Sequence, residues 1–253
     1  MSATFTIARR ELHALFLSPL AWAVLAVIQA IAAYLFLGRV NDFLNVQTML
    51  SRVPNAPGVT DFVVAPLFGS VSIILLMVVP LLSMRMIADE RRTGTLTLLL
   101  SAPVSMSEIV IGKFLGLFAF LCLMVAMITC MPLSLEAGTH LDLGKLAAGV
   151  LGLVLMLGAF AAAGLFMSAM TSQPVVAAVG SFGLLLLLWI LSFAGNFGNE
   201  ALGHVLSYLS LVKHFQGLVK GEVVSTDVVY YVLVIILFLA LGIRRLDADR
   251  LQR

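Results

Sequence analysis

Phe62-Val-Val-Ala-Pro-Leu-Phe-Gly-Ser-Val-Ser-Ile-Ile-Leu-Leu-Met-Val-Val-Pro-Leu-Leu-Ser-Met84 is a run of 23 residues without a charge. As a helix it would rise about 34 Å, and a bilayer core of about 30 Å takes roughly 20 helical residues. Five more apolar segments lie outward from it, approximately Leu20 to Leu37, Ile109 to Met131, Leu146 to Met170, Val175 to Ala194 and Val228 to Ile243. Short polar stretches between them carry nearly all the charge. Lipid offers no partner to a backbone N–H or C=O, so each run must satisfy its own groups as a helix. The pattern predicts an all-α polytopic integral membrane protein with six transmembrane helices in a single domain, residues 1–253.

Composition leads to the same class. Of the 253 residues 61% are hydrophobic and 11% charged, with a mean hydropathy of +1.11, whereas soluble domains carry about 25% charged residues. A soluble fold of this make-up would expose contiguous apolar patches that soluble monomers rarely tolerate. The formal charge of +2, with no basic stripe interleaved with aromatics, points to no nucleic-acid partner. Cys122 and Cys130 fall in one apolar run about 80° apart around a helix, with no His or carboxylate near, and read as small buried thiols.

Six spans put both termini on one side. Ten of the fifteen Lys and Arg residues fall on that side: Arg9, Arg10, Arg85, Arg91, Arg92, Lys113, Arg244, Arg245, Arg250 and Arg253. The opposite side has Arg39, Arg52, Lys145, Lys213 and Lys220. The positive-inside rule then predicts cytoplasmic termini, with 244–253 as a cytoplasmic tail. Arg9-Arg10 ahead of an apolar run resembles a targeting signal, but Glu11 follows directly, the run is long and no small-residue cleavage site leads into a soluble domain. Residues 1–18 read instead as an amphipathic interfacial helix, with Phe5, Leu12, Leu15 and Phe16 on one face and Arg9, Arg10 and His13 on others.

The most informative loop is 85–105, Arg85-Met-Ile-Ala-Asp-Glu-Arg-Arg-Thr-Gly-Thr-Leu-Thr-Leu-Leu-Leu-Ser-Ala-Pro-Val-Ser105. It reads as a helix leaving the second span and stopping at Gly94, a residue suited to a left-handed cap. Thr95 to Ser101 predicts a short apolar helix ending before Pro103. Ser105 and Glu108 have the S-x-x-E spacing of a capping box opening the third span. Such a loop is either a rigid surface for another protein or an anchor at the membrane boundary.

Catalysis in the bilayer has no support. His13, His140, His204 and His214 fall at interfaces or in an outer segment, and there is no H-E-x-x-H or G-x-S-x-G. No G-x-x-x-x-G-K-[ST] phosphate loop occurs, so the chain carries no recognisable ATPase site, and no metal or other cofactor is called for. No Asp, Glu or Arg lies near mid-span, and Lys113 is close enough to an end to snorkel. An ion channel or proton-coupled carrier usually has such residues along its path. The polar residues at depth are Gln29, Ser70, Ser72, Thr129, Ser168 and Ser181, hydroxyls that more often bond back to their own helix. Gly112 and Gly116, then Gly158 and Ala162, allow close helix approach, within the bundle or at a dimer interface. The first is favoured because the bundle needs close contacts anyway. Pro80 and Pro132 near span ends and Pro174 in a tight loop disturb little.

Glu90-Arg-Arg-Thr-Gly-Thr-Leu-Thr-Leu-Leu-Leu-Ser-Ala-Pro-Val-Ser105 resembles the cytoplasmic loop of ABC-2-type permeases, especially the gliding-motility-associated branch. Tyr208-Leu-Ser-Leu-Val-Lys-His-Phe-Gln-Gly-Leu-Val-Lys-Gly221 with Asp227-Val-Val-Tyr-Tyr231 resembles the segment before the last span in that branch. Ala8-Arg-Arg-Glu-Leu12 and Ser18-Pro19 extend the likeness over essentially the whole chain.

That resemblance implies a type V exporter-like transmembrane domain in a bacterial inner membrane. It implies a dimer with a second copy or a paralogue, two cytoplasmic ATPase subunits that carry ATP and Mg, and room for a periplasmic or outer-surface accessory protein. Arg85, Asp89, Glu90, Arg91, Arg92, Gly94 and Thr95 would then belong to a coupling helix seated in the ATPase. Residues 195–227, with Tyr208, His214, Phe215 and Gly221, would dip back into the membrane as re-entrant helices. Gly195, Gly198, Gly203, Gly217 and Gly221 supply turns, and Leu202, Val205, Leu206 and Leu209 an apolar face. The alternatives are a plain amphipathic outer loop and, for the whole protein, an ATPase-coupled scaffold that moves an outer-surface partner without cargo. Apolar spans favour an amphiphilic cargo over small ions.

Overall fold

The computed structural model describes residues 3–50, 58–95, 104–194 and 208–251. Among these there is no strand. Helix α1 (Ala3–Leu17) turns at Ser18 into α2 (Pro19–Leu50). A π-turn at Thr60–Val64 opens α3 (Ala65–Ser83), which passes through Met84 into α4 (Arg85–Thr93). Then follow α5 (Met106–Leu133), α6 (Leu143–Met170), α7 (Pro174–Ala194), α8 (Leu211–Val219) and α9 (Ser225–Leu251).

Six stretches are long and apolar enough to cross a membrane: Pro19–Met49, Thr60–Thr93, Met106–Ala137, Leu143–Met170, Pro174–Ser192 and Ser225–Arg250. They overlie the six expected runs, but α2 is longer than the apolar run that starts it. Its 32 residues extend about 48 Å, because nothing after Leu37 interrupts helical geometry although the sequence turns polar.

Helix α6 is the hub. It packs on α3, α4, α5, α7, α8 and α9, and 67% of its most apolar stretch is buried, against 22% for α7 and α9. Small residues permit this: Gly149, Gly152, Gly158, Ala159, Ala161, Ala162, Ala163 and Gly164 are all buried. Gly158 has no room for a Cβ, which would fall 2.9 Å from Ile235 and 3.2 Å from Phe118, so its spacing with Ala162 serves packing inside the bundle. Helix α2 buries Ala21, Leu25, Ile28, Ala32 and Phe36, a single stripe at helical spacing, and exposes Trp22, Val27, Ile31, Tyr34 and Leu37. Helices α7 and α9 show similar outward apolar faces, the surface a bilayer covers in a multi-pass membrane protein.

Several expectations need correction. Cys122 is half-buried and Cys130 exposed, because their turns of α5 face outward. Phe5 is 55% exposed and stands apart from Leu12, Leu15 and Phe16, which pack on the core. Gly217 lies inside α8 and makes no turn. Ser70, Ser72, Thr129 and Ser181 bond back to their own helices, but Gln29 Nε2 donates to the Met124 carbonyl on α5, and Ser168 reaches α4.

Candidate functional site

The loop residues singled out above lie on α4 and its cap. Helix α4 stops at Gly94, whose φ of 76° is left-handed, a conformation open to glycine without a Cβ clash. Thr93 Oγ1 donates to the Asp89 carbonyl, and the Thr95 hydroxyl sits 3.0 Å from that of Thr93. The predicted short helix Thr95–Ser101 lies, beyond Thr95, outside the described residues. At the start of α5, Ser105 Oγ accepts the Glu108 N–H at 3.2 Å while Glu108 accepts the Ser105 N–H at 2.9 Å.

Three polar connections hold α4 to the spans. On α6, the buried Ser168 hydroxyl accepts the Ile87 and Ala88 N–H groups, both at 3.0 Å, and donates to the Met84 carbonyl. First-turn amides of a helix lack intrahelical acceptors, so Ser168 acts as a cap supplied by a different helix. On α9, Arg91 Nη2 pairs with Asp249, which also takes a longer contact of 3.6 Å from Arg245. On α5 and α1, Lys113 Nζ lies 2.7 Å from Glu90 Oε1 and 3.0 Å from Glu11 Oε1. Arg10 adds contacts to Glu11 at 2.7 Å and Glu90 at 3.3 Å.

Lys113 departs from the sequence reading. It is 1% exposed and does not snorkel to water, because two carboxylates from neighbouring helices reach it inside the bundle. Helix α1 can deliver Glu11 there because α5 is bare along its contact: a Cβ on Gly112 would fall 2.8 Å from Ile7 Cβ, and one on Gly116 2.7 Å from Glu11 Cβ. The Gly112/Gly116 pair thus admits α1 and not another span. Burial raises the Glu11 carboxyl pKa, but the Lys113 charge and hydrogen bonds from Arg10 and Lys113 prevail and leave it below the ordinary value. Arg10 is held above its ordinary value by its hydrogen bond to Glu11, against burial.

The seven predicted coupling residues therefore divide. Glu90 and Arg91 point inward and anchor α4, whereas Arg85, Arg92, Gly94 and Thr95 are exposed. Asp89 pairs with Arg92 at 3.0 Å on the surface. Sequence reasoning missed Glu11, Lys113, Ser168 and Asp249 as partners. A lone lysine in an apolar run and a lone acid on the packed side of α1 were signals for two of them; the serine and Asp249 gave none.

At the far end of α6 the predicted outer residues also meet. His214 Nδ1 lies 2.7 Å from Asp227 Oδ1 and its Nε2 2.8 Å from the Tyr208 carbonyl, with the ring stacked on Tyr230 at 4.0 Å. Tyr230 and Tyr231 donate to the carbonyls of Leu209 and Leu211. Phe215 is buried against α6 at Gly152, and Gly221, at φ 89°, turns the chain into α9 over Lys145. Lys145 in turn pairs with Asp61 at 2.8 Å. Gly195, Gly198, Leu202, Gly203, Val205 and Leu206 lie outside the described residues, and Leu209 is exposed. Among the described residues no group of three His, Cys, Asp or Glu side chains is placed to hold a metal.

Residues 5–251 match the family model described as ABC-2 family transporter protein. A search of curated proteins finds no match.

Proposed function

From the premise that this chain belongs to the ABC-2 family of transporter proteins, we propose that it is a permease driven through α4 by a cytoplasmic ATPase carried on another polypeptide. The observation that carries the reading is the mounting of α4. A nine-residue helix with an exposed cationic edge is fixed to α6 by buried hydrogen bonds and to α1, α5 and α9 by ion pairs that are half-buried or at the surface. A displacement of such a helix moves the spans with it, where a loose loop would absorb the motion. Arg85, Arg92 and Thr95 present the contact surface, and Glu90 and Arg91 transmit.

Helix α6 supplies the path onward. From Ser168 to Lys145 it covers 24 residues, a rise of about 34 Å, and joins the α4 mounting to the His214–Asp227 cluster under the outer segment. The lysine and arginine distribution supports cytoplasmic termini, and the resemblance to ABC-2-type permeases supports a bacterial inner membrane. The 208–231 segment supports the gliding-motility-associated branch, spans without mid-depth charge suit an amphiphilic cargo, and membership of the ABC-2 family supports a dimer with a second copy or paralogue.

Copurification from mild detergent identifies the ATPase, and stimulation of its hydrolysis by the reconstituted chain tests the coupling. Arg92→Glu is expected to lower stimulation several-fold with the fold intact. Arg91→Asp is expected to do the same, and adding Asp249→Arg to restore it by recreating the pair with reversed charges. Unchanged stimulation in both would reject α4 as the contact. Stimulation without cargo movement in liposomes would favour the cargo-free scaffold.

A further inference from the structure

Helix α1 has a second face that the α4 junction shares only through Arg10. Thr6, Arg9, Arg10, Leu12, His13 and Phe16 line a shallow hollow of about 430 Å³. Its rim is basic: Arg9 and His13 are exposed and pair with no carboxylate among the described residues, while Arg10 shares its charge with Glu11 and Glu90. Its floor is apolar, formed by Leu12 and by Phe16, which rests edge-on against Phe120 of α5 at 5.6 Å between centroids.

The depth of this hollow is marked by Trp22, in the first turn of α2. Its indole N–H donates to the Phe16 carbonyl at 2.7 Å, and the side chain is 54% exposed beside Phe16. A half-exposed tryptophan with a satisfied N–H at the start of a span belongs at the boundary between headgroups and acyl chains. Phe5 and Leu17 are further apolar side chains that α1 leaves exposed. Basic groups over an apolar floor at headgroup depth complement a phosphate with acyl chains below it. Guanidinium matches phosphate in a two-point hydrogen bond, and the imidazole adds a donor.

We infer that the outward face of α1 binds anionic phospholipid headgroups, with the phosphate between Arg9 and His13 and the chains against Phe16 and Trp22. The site depends on α1 docking to α5 and holds whether or not α4 serves an ATPase.

The chain has two tryptophans, Trp22 and Trp189, so Trp189→Phe leaves Trp22 as sole reporter. The full chain in nanodiscs is titrated with phosphatidylglycerol or phosphatidylcholine carrying brominated acyl chains, which quench tryptophan on contact. Quenching at equal mole fraction is expected to be at least about twofold stronger for the anionic lipid. Arg9→Gln with His13→Gln should abolish the difference, and Arg9→Lys with His13→Lys should keep it. Among the described residues Arg9 and His13 make no hydrogen bond or ion pair, so the variants are expected to fold, and an unchanged elution profile checks this. Equal quenching by the two lipids overturns the inference, as does a preference that survives the glutamine pair. Loss of ATPase copurification with lipid preference intact would assign the face to protein and overturn it too.

Discussion

Lys113→Met removes the cation that two carboxylates share. The ammonium is 2.7 Å from Glu90 and 3.0 Å from Glu11, whose side chains are 20% and 12% exposed. At an effective dielectric of about 20, each contact has a Coulomb energy of about 6 kcal/mol, offset by several kcal/mol for dehydrating the ions. Removing Lys113 leaves the two carboxylates only the more exposed Arg10, at 2.7 and 3.3 Å, and the net loss approaches that of a broken buried pair, about 3–5 kcal/mol. In a chain of this size that lowers the melting temperature by roughly 6–20 °C. The informative comparison is the triple variant Glu11→Gln, Lys113→Met, Glu90→Gln, in which no buried charge is left alone; replacing a whole buried ion set is often neutral. Scanning fluorimetry in detergent should therefore show Lys113→Met far below the parent and the triple variant recovering most of the gap. A Lys113→Met protein as stable as the parent, or a triple variant no better than the single one, would refute the reasoning.

Gly116→Ala puts a methyl 2.7 Å from Glu11 Cβ and 2.9 Å from the Ala8 carbonyl; it should cost about 1–3 kcal/mol and release α1, seen as new protease cleavage between Ala3 and Leu17 in an otherwise resistant protein. Ser168→Ala strands the Ile87 and Ala88 amides, an expected loss of about 1–3 kcal/mol, and hydrogen exchange should rise in Arg85–Thr93 before it rises in α6. The Glu11 carboxyl titrates below its ordinary value, so its stabilisation is complete above the unfolded carboxylate pKa and is lost as pH falls through the lower folded one. Melting temperature should drop over that acidic window, and Glu11→Gln should flatten this part of the profile; an identical slope in the variant would remove Glu11 from the cluster.

The six spans were legible because a bilayer imposes one length and one composition on every crossing segment. Gly94 and the Ser105/Glu108 pair were legible because caps are local, decided by residues within one turn of each other. What the sequence concealed was long-range. Ser168 looks like any hydroxyl that bonds back to its own turn, and only the approach of α4 to α6 gives it other partners. Lys113 lies a short way into an apolar run, where snorkelling is the ordinary outcome, and its burial depends on α1 folding back over Gly112 and Gly116. The outward placement of the cysteines depended likewise on which side of α5 the hub α6 occupies.

The ion pairs of the described bundle gather at its two ends, and α6 touches both. At one end Ser168 takes the α4 amides, while Glu90, Lys113 and Glu11 tie α4 to α5 and α1; at the other, Lys145 supports Gly221 and Asp61, and Gly152 admits Phe215 and Leu218. Between them Gly158, Ala159, Ala161, Ala162, Ala163 and Gly164 let neighbouring helices close on α6, while Leu153, Met156, Leu157, Phe160 and Leu165 fill the space around them. Close-packed helices move as bodies and do not bend continuously. A tilt imposed at α4 thus has few ways to dissipate before it reaches His214 and Asp227, and widening the middle of α6, for instance with Gly158→Leu, would interrupt that path while leaving both polar ends chemically unaltered.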